Sequence, residues 1–589
     1  MSDLDPIVLS LIQNRLDNIA VQMGGVMLRT ARSPIFSQAH DFSCFLTDAQ
    51  GTLVSQADGI PIHSGGGGVA VRAMLAAFAG TVAPGDVYLS NDPYVAGGNH
   101  LPDWVLARPV FVGDTLVAFA CIRAHQADIG GGVAGTYNPH ATEIFQEGLR
   151  LPPLKLIEYG AERADLWALL LLNTRCPEEV DGDLRAMLGS TQIGAEKIGE
   201  LARELGPAAT GRYLDALLAH GEKALAAVLR GLPDGEYCAE ERLLNDCFED
   251  RLIMLRVRAT KQGGRLTIDF TGTDPQIKGF KNSSLANTHS AVYAAVASFF
   301  DENMPRNEGT FRCISIVAPR GTLINPNPPA PMTLCTSTPA HEIMHMVWWA
   351  LSQADPKRGL AGWGKNCFPI TSGKSADGGI WAMYHWGSSS GTGATSARDG
   401  FHALGGLGTL GGLMLPNGEL SEQTYPVRVL RQELRPDGGG VGAYRGGTGV
   451  LYEVEIDEWC EYVFRGEGVG PPSGLGLLGG GAGAGGTIRV TDGSGAQLKV
   501  PFFGTLHAGR SHLRVESAGG GGYGNPCERE VALVQRDVVD GVVTVAAAEA
   551  SYGVAFNADG CTVDMEATAR IRSARSRAGA AKRAVDATA

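Results

Sequence analysis

Apolar residues at Val8, Leu11, Ile12, Leu16, Ile19 and Met23 recur at helical spacing through residues 6–32, with Asp5 placed as N-cap before Pro6. One long amphipathic helix is predicted at the start of the chain. From Phe42 the texture changes to short strands and turns, and "CFLTDAQGTLVSQ" reads as a hairpin around residues 48–51. Two β-rich runs, 105–112 and 116–123, flank Gly113-Asp114-Thr115 and predict a second hairpin. Helical periodicity returns over 184–232, with Leu201, Leu205, Leu214, Leu217 and Leu218 as apolar rows. A strand at 265–274 and helices at 289–300 and 340–353 make the middle of the chain mixed. After Gly405 short apolar runs separated by Gly, Pro and Asp ("GVLYEVEI", "EYVFRGEG", "GTIRVTD", "REVALVQRDVVDGVVTV") predict a mostly β final third.

The expected fold is therefore α+β: an N-terminal helix, a hairpin-rich region, a helical middle and a β-rich C-terminal third. At 589 residues the chain exceeds one ordinary hydrophobic core. Regions 1–184, 185–404 and 405–570 are expected, followed by a basic tail, 571–589, solvated or frayed.

Composition narrows the function classes. A hydrophobic fraction of 44% and a charged fraction of 19% are those of a packed globular chain, and a formal charge of −13 disfavours phosphate backbones and anionic lipid as main partners. The expectation is no nucleic acid and no membrane. Eleven scattered cysteines without a C-x-x-C pair, and an N-terminus without the plan of a signal peptide, point to reduced thiols in a cytoplasm. The 81 glycines cluster without a fixed period, as tight turns and close backbone approaches do.

The candidate chemistry lies in "NDPYVAGGNHLPDW", where His100 and Asp103 stand three residues apart beside Gly97, Gly98 and Pro102. Folding the downstream hairpin about Asp114 brings His125 opposite Asp103. Two imidazoles and a carboxylate suit Zn, Mn or Fe(II). "RAHQAD" repeats the His-x-x-Asp spacing, which makes Asp128 a further ligand or an orienter of His125. The alternative is a set of hydrogen-bonded loop residues, since His-x-x-Asp alone carries no specificity.

"SNDPYVAGGNHLPDW", "RAHQADIGG", "EIFQEGLRLPP", "NEGTFR", "YRGGTGV" and "GGGGYGNP...ALVQRDVVDG" together resemble, in order, the signatures of the hydantoinase B/oxoprolinase family, over nearly the whole chain. Members are subunits or halves of ATP-dependent amide hydrolases (N-methylhydantoinase, 5-oxoprolinase, caprolactamase) and of related ketone carboxylases. The resemblance implies a hydantoinase A-type ATPase partner that phosphorylates the substrate, ATP and Mg residing on that partner, and a hetero-oligomer such as A2B2. It implies one divalent metal held by His100, Asp103 and His125, with Asp41 of "AHDFSC" as a fourth ligand. For water attack on an activated amide, Asp128 or Glu147 is a candidate general base and His63 a candidate donor to an oxyanion. The alternatives are indirect support, a solvated surface charge and a packed loop histidine.

Three other motifs compete. "HEIMH", residues 341–345, fits the zincin pattern but lacks the metzincin continuation, and a polar stripe on a buried or interface helix is the competing reading. "GSSSG" around Ser389 is not followed by a helix, and "SGKS" at 372–375 lacks the leading glycine of a P-loop. The reading that results is a metal-bearing subunit that opens a cyclic amide such as a hydantoin, a lactam or 5-oxoproline. A ketone carboxylase subunit and a scaffold for the ATPase are the alternatives.

Overall fold

The computed structural model describes residues 5–56, 59–300, 304–375 and 378–586. Helix α1 (Pro6–Thr30) starts at Asp5, whose carboxylate accepts the Ile7 N–H at 2.8 Å. With α2 (Gly67–Ala77), α3 (Pro177–Leu205) and α4 (Pro207–Arg230) it surrounds a seven-stranded antiparallel sheet. Its strands are β1 (Phe42–Asp48), β2 (Leu53–Gln56), β3 (Val87–Ser90), β4 (Asp103–Val112), β5 (Thr115–His125), β6 (Leu154–Glu158) and β7 (Ala161–Glu162), in the order β2-β1-β5-β4-β3-β6-β7. Side chains alternate across it. Leu106, Ala120 and Ile122 join the core under α1 and α3, while Phe45, Val105 and Phe119 join the core under α2.

The β4–β5 hairpin turns at Gly113-Asp114, with Gly113 at φ +59°. Close to the turn Phe111 pairs with Leu116, but Val110 pairs with Ala118, so Val117 is an extra residue in β5. Counted from the turn alone, Asp103 would face Ala124. The bulge sets it opposite His125.

A second sheet, β8 (Gly235–Asn245), β9 (Asp250–Gln262), β10 (Arg265–Asp269) and β11 (Ile314–Val317), packs with α5 (Leu285–Phe299) and α6 (Ala340–Ala354) through Leu255, Ile268, Val292, Met344 and Val347. Helix α3 runs through the expected 184/185 boundary.

Next come β12 (Ile370–Lys374), β13 (Ile380–Tyr384), β14 (Val427–Leu434), β15 (Val450–Ile456), β16 (Cys460–Arg465), β17 (Thr487–Asp492), β18 (Phe503–Ala508) and β19 (Ser511–Glu516). They form two stacked sheets, β13-β12-β16-β18 and β14-β15-β19-β17. Met383, Tyr462 and Phe464 meet Val454, Leu513 and Val515 between them. The first of these sheets draws strands from both sides of residue 405. Its other face, carrying Ile370, Tyr384 and Val463, packs onto the N-terminal core.

One stretch departs from the sequence reading. "REVALVQRDVVDGVVTV", which its valines predict as β, contains helix α7 (Val531–Val539). Val531, Val534 and Val538 fall on one apolar face, and Asp537 turns to the buried Arg529 and to Arg445. Helical spacing outweighs β-branched composition here. The basic stretch expected as a solvated tail continues as helix α8 (Met565–Asp586). Among the described residues no helix is long and apolar enough to cross a membrane.

The glycine excess has a packing cause. Segments 391–394, 438–449, 474–486 and 518–524 lie against one another and bond backbone to backbone: Gly520 N–H donates to the Gly447 carbonyl at 2.9 Å, Gly440 to Gly520 at 2.8 Å and Gly522 to Gly481 at 2.9 Å. A Cβ on Gly447 would stand 1.8 Å from the Phe401 carbonyl oxygen, so no side chain fits there.

Candidate metal centre

Three neighbouring strands end at one point. β5 lies between β1 and β4, so His125 is flanked by Asp103, its register partner, and by Asp41, whose carbonyl accepts the His125 N–H at 3.1 Å. His125 and Asp103 occupy the α2 face of the sheet, as does Arg123. His100 arrives on the loop before β4, where Gly98 crosses Asn91 so closely that a Cβ would meet its carbonyl oxygen at 1.9 Å. Arg123, fully buried, ties this loop together. Its Nη1 donates to the carbonyl of His63 at 2.6 Å and to Asn99 Oδ1 at 2.9 Å, and Nη2 donates to the Gly97 carbonyl at 3.3 Å.

The ligand atoms of His100, Asp103 and His125 lie within 4.8 Å of one another. His100 Nδ1 is 2.5 Å from the Thr333 carbonyl, which only accepts, so Nδ1 carries the proton and neutral His100 turns a lone pair on Nε2 toward Asp103 Oδ1, 2.8 Å away. Tyr384 donates to the Gly135 carbonyl at 2.7 Å and therefore accepts from His125 Nε2, at 3.2 Å. That leaves the His125 Nδ1 lone pair facing the same Asp103 oxygen at 3.2 Å. Three acceptors converge, and Asp103 Oδ2 is buried without a hydrogen bond. A proton on His100 relieves one contact; a cation between the three relieves all of them. The donor set fits a divalent Zn, Mn or Fe ion.

Electrostatics follow from burial and proximity. Burial favours a neutral Asp103, but His100 and His63 hold its carboxyl well below the usual range. Burial likewise opposes a charged His100, which Asp103 and the Thr333 carbonyl nevertheless raise. Burial pushes Asp41 up to about 6 and His63 down to about 4.

The expected residues separate into two groups. His63 lies in the centre, its Nε2 3.5 Å from Asp103 Oδ2 and 3.6 Å from Asp41 Oδ1, so both carboxylates are brought to it. Asp41 stands beside the three-residue grouping. Asp128 is turned away from the role of orienting His125: its carboxylate accepts the backbone N–H groups of Gly130 and Arg175 and pairs with the Arg175 guanidinium at 3.1 Å. Tyr384 takes that orienting place. Glu147 is neither solvated nor free, since it accepts from Met332 at 2.9 Å and Thr333 at 2.7 Å and so fixes the segment whose carbonyl orients His100. Arg123, Tyr137, Tyr384 and Arg465 were missed. The alternation of β5 pointed to Arg123, two residues before His125; no local signal pointed to the others.

The rival motifs are spent elsewhere. His345 Nε2 accepts the Trp363 N–H at 3.0 Å, and Glu342 is paired with Lys365 from beyond α6, a helix that is buried as the polar-stripe reading expects. Ser389 donates to the Trp386 carbonyl at 2.9 Å, and "SGKS" begins within strand β12.

The sequence matches the hydantoinase B/oxoprolinase family over residues 5–526. It is 34% identical over 578 residues to the beta subunit of the caprolactamase of Pseudomonas jessenii, covering 95% of this chain and 98% of that one. It is 31% identical to the B-type subunit of a putative D-/L-hydantoinase of Pseudomonas sp. (strain NS671), covering 97% and 98%. The fold superposes on a chain of the crystal structure of the ATP-dependent caprolactamase from Pseudomonas jessenii with a TM-score of 0.89, at 33% identity, covering 97% and 100%. Nucleotide-free acetone carboxylase gives a TM-score of 0.87 at 21% identity, covering 98% and 84%, which shows a shared fold. The chain belongs to the hydantoinase B/oxoprolinase family.

Proposed function

We propose that this chain is the metal-bearing subunit of an ATP-dependent hydrolase that opens a cyclic amide activated by an A-type ATPase partner. The observation that carries the reading is the convergence of His100, Asp103 and His125 as mutually facing acceptors, in a chain alignable almost end to end with the beta subunit of caprolactamase. His100, Asp103 and His125, with Asp41 beside them, would hold the ion, which supplies Lewis-acid polarisation and lowers the pKa of water.

An amide carbonyl resists attack because resonance feeds nitrogen density into it. Phosphorylation of its oxygen by the partner makes the carbon electrophilic. Water adds there, the ring C–N bond opens with a proton passing to nitrogen, and a second water releases phosphate from the acyl phosphate. His63, neutral near neutral pH and set between two carboxylates, is placed to take the proton of the attacking water and return it to the ring nitrogen. Arg123 keeps His63 and Asn99 in position from behind.

The test is a substrate panel with the co-expressed partner, with and without bicarbonate, following ADP release and ring opening. Ring opening without bicarbonate, lost on chelation and in His100→Ala, is expected. A strict need for bicarbonate with a ketone would assign the chain to carboxylation instead, and full activity of a metal-free His100→Ala protein would sink the metal-centred reading.

A further inference from the structure

Arg465 closes β16 on the face that turns Tyr384 and Val463 toward the N-terminal region. It is 8% exposed. Its guanidinium sits 4.2 Å from the centroid of the Tyr137 ring and 4.4 Å from that of Phe368. The other deeply buried arginines are engaged: Arg123 by three loop oxygens, Arg529 by Asp399 and Asp537, and Arg445 by Asp537 and a carbonyl. Among the described residues nothing gives the Arg465 guanidinium a hydrogen bond or an ion pair, and its Nε is fully enclosed. Two aromatic faces offset part of the cost of burying this cation, yet leave its fork of N–H donors without acceptors.

The ring it covers belongs to the metal centre. Tyr137 stacks on His125, with centroids 5.8 Å apart and planes at 18°, and meets His100 edge-on at 6.1 Å. A guanidinium thus lies one ring away from a cluster whose own carboxylates, Asp41 and Asp103, would repel an anion. Planar forked donors match phosphoryl oxygens.

The geometry points to Arg465 as the residue that receives the phosphoryl group of the activated cyclic amide. The inference rests on the function proposed above for its ligand. Arg465 holds the phosphoryl oxygens beside the cluster through ring opening and until phosphate departs, and it forms no covalent bond.

Calorimetric titration of the metal-loaded full chain with inorganic phosphate tests this, on the unaltered protein, Arg465→Lys and Arg465→Met. The unaltered chain is expected to bind phosphate, Arg465→Met to bind at least about tenfold more weakly with unchanged metal content and circular dichroism, and Arg465→Lys to fall between, because it keeps the charge and loses the fork. Equal binding by Arg465→Met, or no binding by the unaltered chain, overturns the proposal. If Arg465→Met does not fold, Arg465→Lys decides, and unweakened binding there is the overturning result. Phosphate binding that depends on Arg465 in a complex that opens no cyclic amide would uphold the anion site and refute the substrate reading alone.

Discussion

Tyr384 Oη lies 3.2 Å from His125 Nε2, joining positions 259 residues apart, and the same hydroxyl donates to the Gly135 carbonyl at 2.7 Å. The C-terminal sheet thereby sets the tautomer of a histidine at the end of the N-terminal one. His125 presents Nδ1 to the cluster because Nε2–H is already spoken for.

Tyr384→Phe removes that acceptor while keeping the ring that packs on Trp386. Metal affinity is expected to fall about 10- to 100-fold, read by competition with a chromogenic chelator, with secondary structure unchanged. Undiminished affinity would mean that the Tyr384 contact does not orient a ligand.

Asp103→Asn separates binding from stability. Above the pH at which His100 gives up its raised proton, the amide nitrogen donates where a carboxylate oxygen now faces two imidazole lone pairs, so there the metal-free variant should be as stable as the metal-free parent or more so, by up to about 1–2 kcal/mol. Metal retention after dialysis, measured by elemental analysis, should drop more than about 100-fold. A metal-free variant clearly less stable than the parent would contradict the facing-acceptor geometry.

Glu147 carries a pH dependence. Burial pushes its carboxyl from the ordinary 4.5 up to about 7, so the folded chain keeps a proton that the unfolded chain releases. The stabilisation is complete below pH 4.5 and is lost as the pH rises through 7, at a cost of about 3 kcal/mol. Glu147→Gln has no such titration. Thermal midpoints of the two proteins between pH 4.5 and 7.5 should therefore diverge with rising pH, to the disadvantage of the parent; parallel curves would rule this out.

Gly447→Ala places a methyl 1.8 Å from the Phe401 carbonyl oxygen, with backbone rather than a flexible side chain in its path. A loss of more than about 3 kcal/mol is expected, seen as a lower denaturation midpoint or insoluble expression. Normal stability would show that the glycine segments can separate.

The hairpin that pairs Asp103 with His125 was legible in the sequence because turn chemistry and alternating runs are local signals. α1 and α6 were legible for the same reason. The helix at 531–539 was not, because its valines favour strands in isolation and its helical face is set by Val534 and Val538 finding a core made of Tyr552 and Val554. The site was half legible. His100, Asp103 and His125 share one ribbon, whereas His63 is led in by a short turn, Tyr137 comes from the irregular loop after β5, and Tyr384 and Arg465 arrive through the docking of a sheet assembled from distant strands. Asp128 misled because its spacing from His125 repeats that of Asp103 from His100, while the chain beyond β5 turns its carboxylate to Arg175.

Val117 touches neither histidine, yet it governs which side of the sheet they share. Paired straight into the ladder, without the bulge, Val117 would oppose Val110 and set Asp103 against Ala124, whose methyl points into the leucine and methionine layer beneath α1 and α3; deleted, it would take the bulge with it and leave Asp103 opposite His125. A single residue thus acts as a reading frame for the hairpin. In relatives of this chain, one-residue length changes between the turn and the site should occur in compensating pairs, one on each strand, or together with a gained or lost bulge.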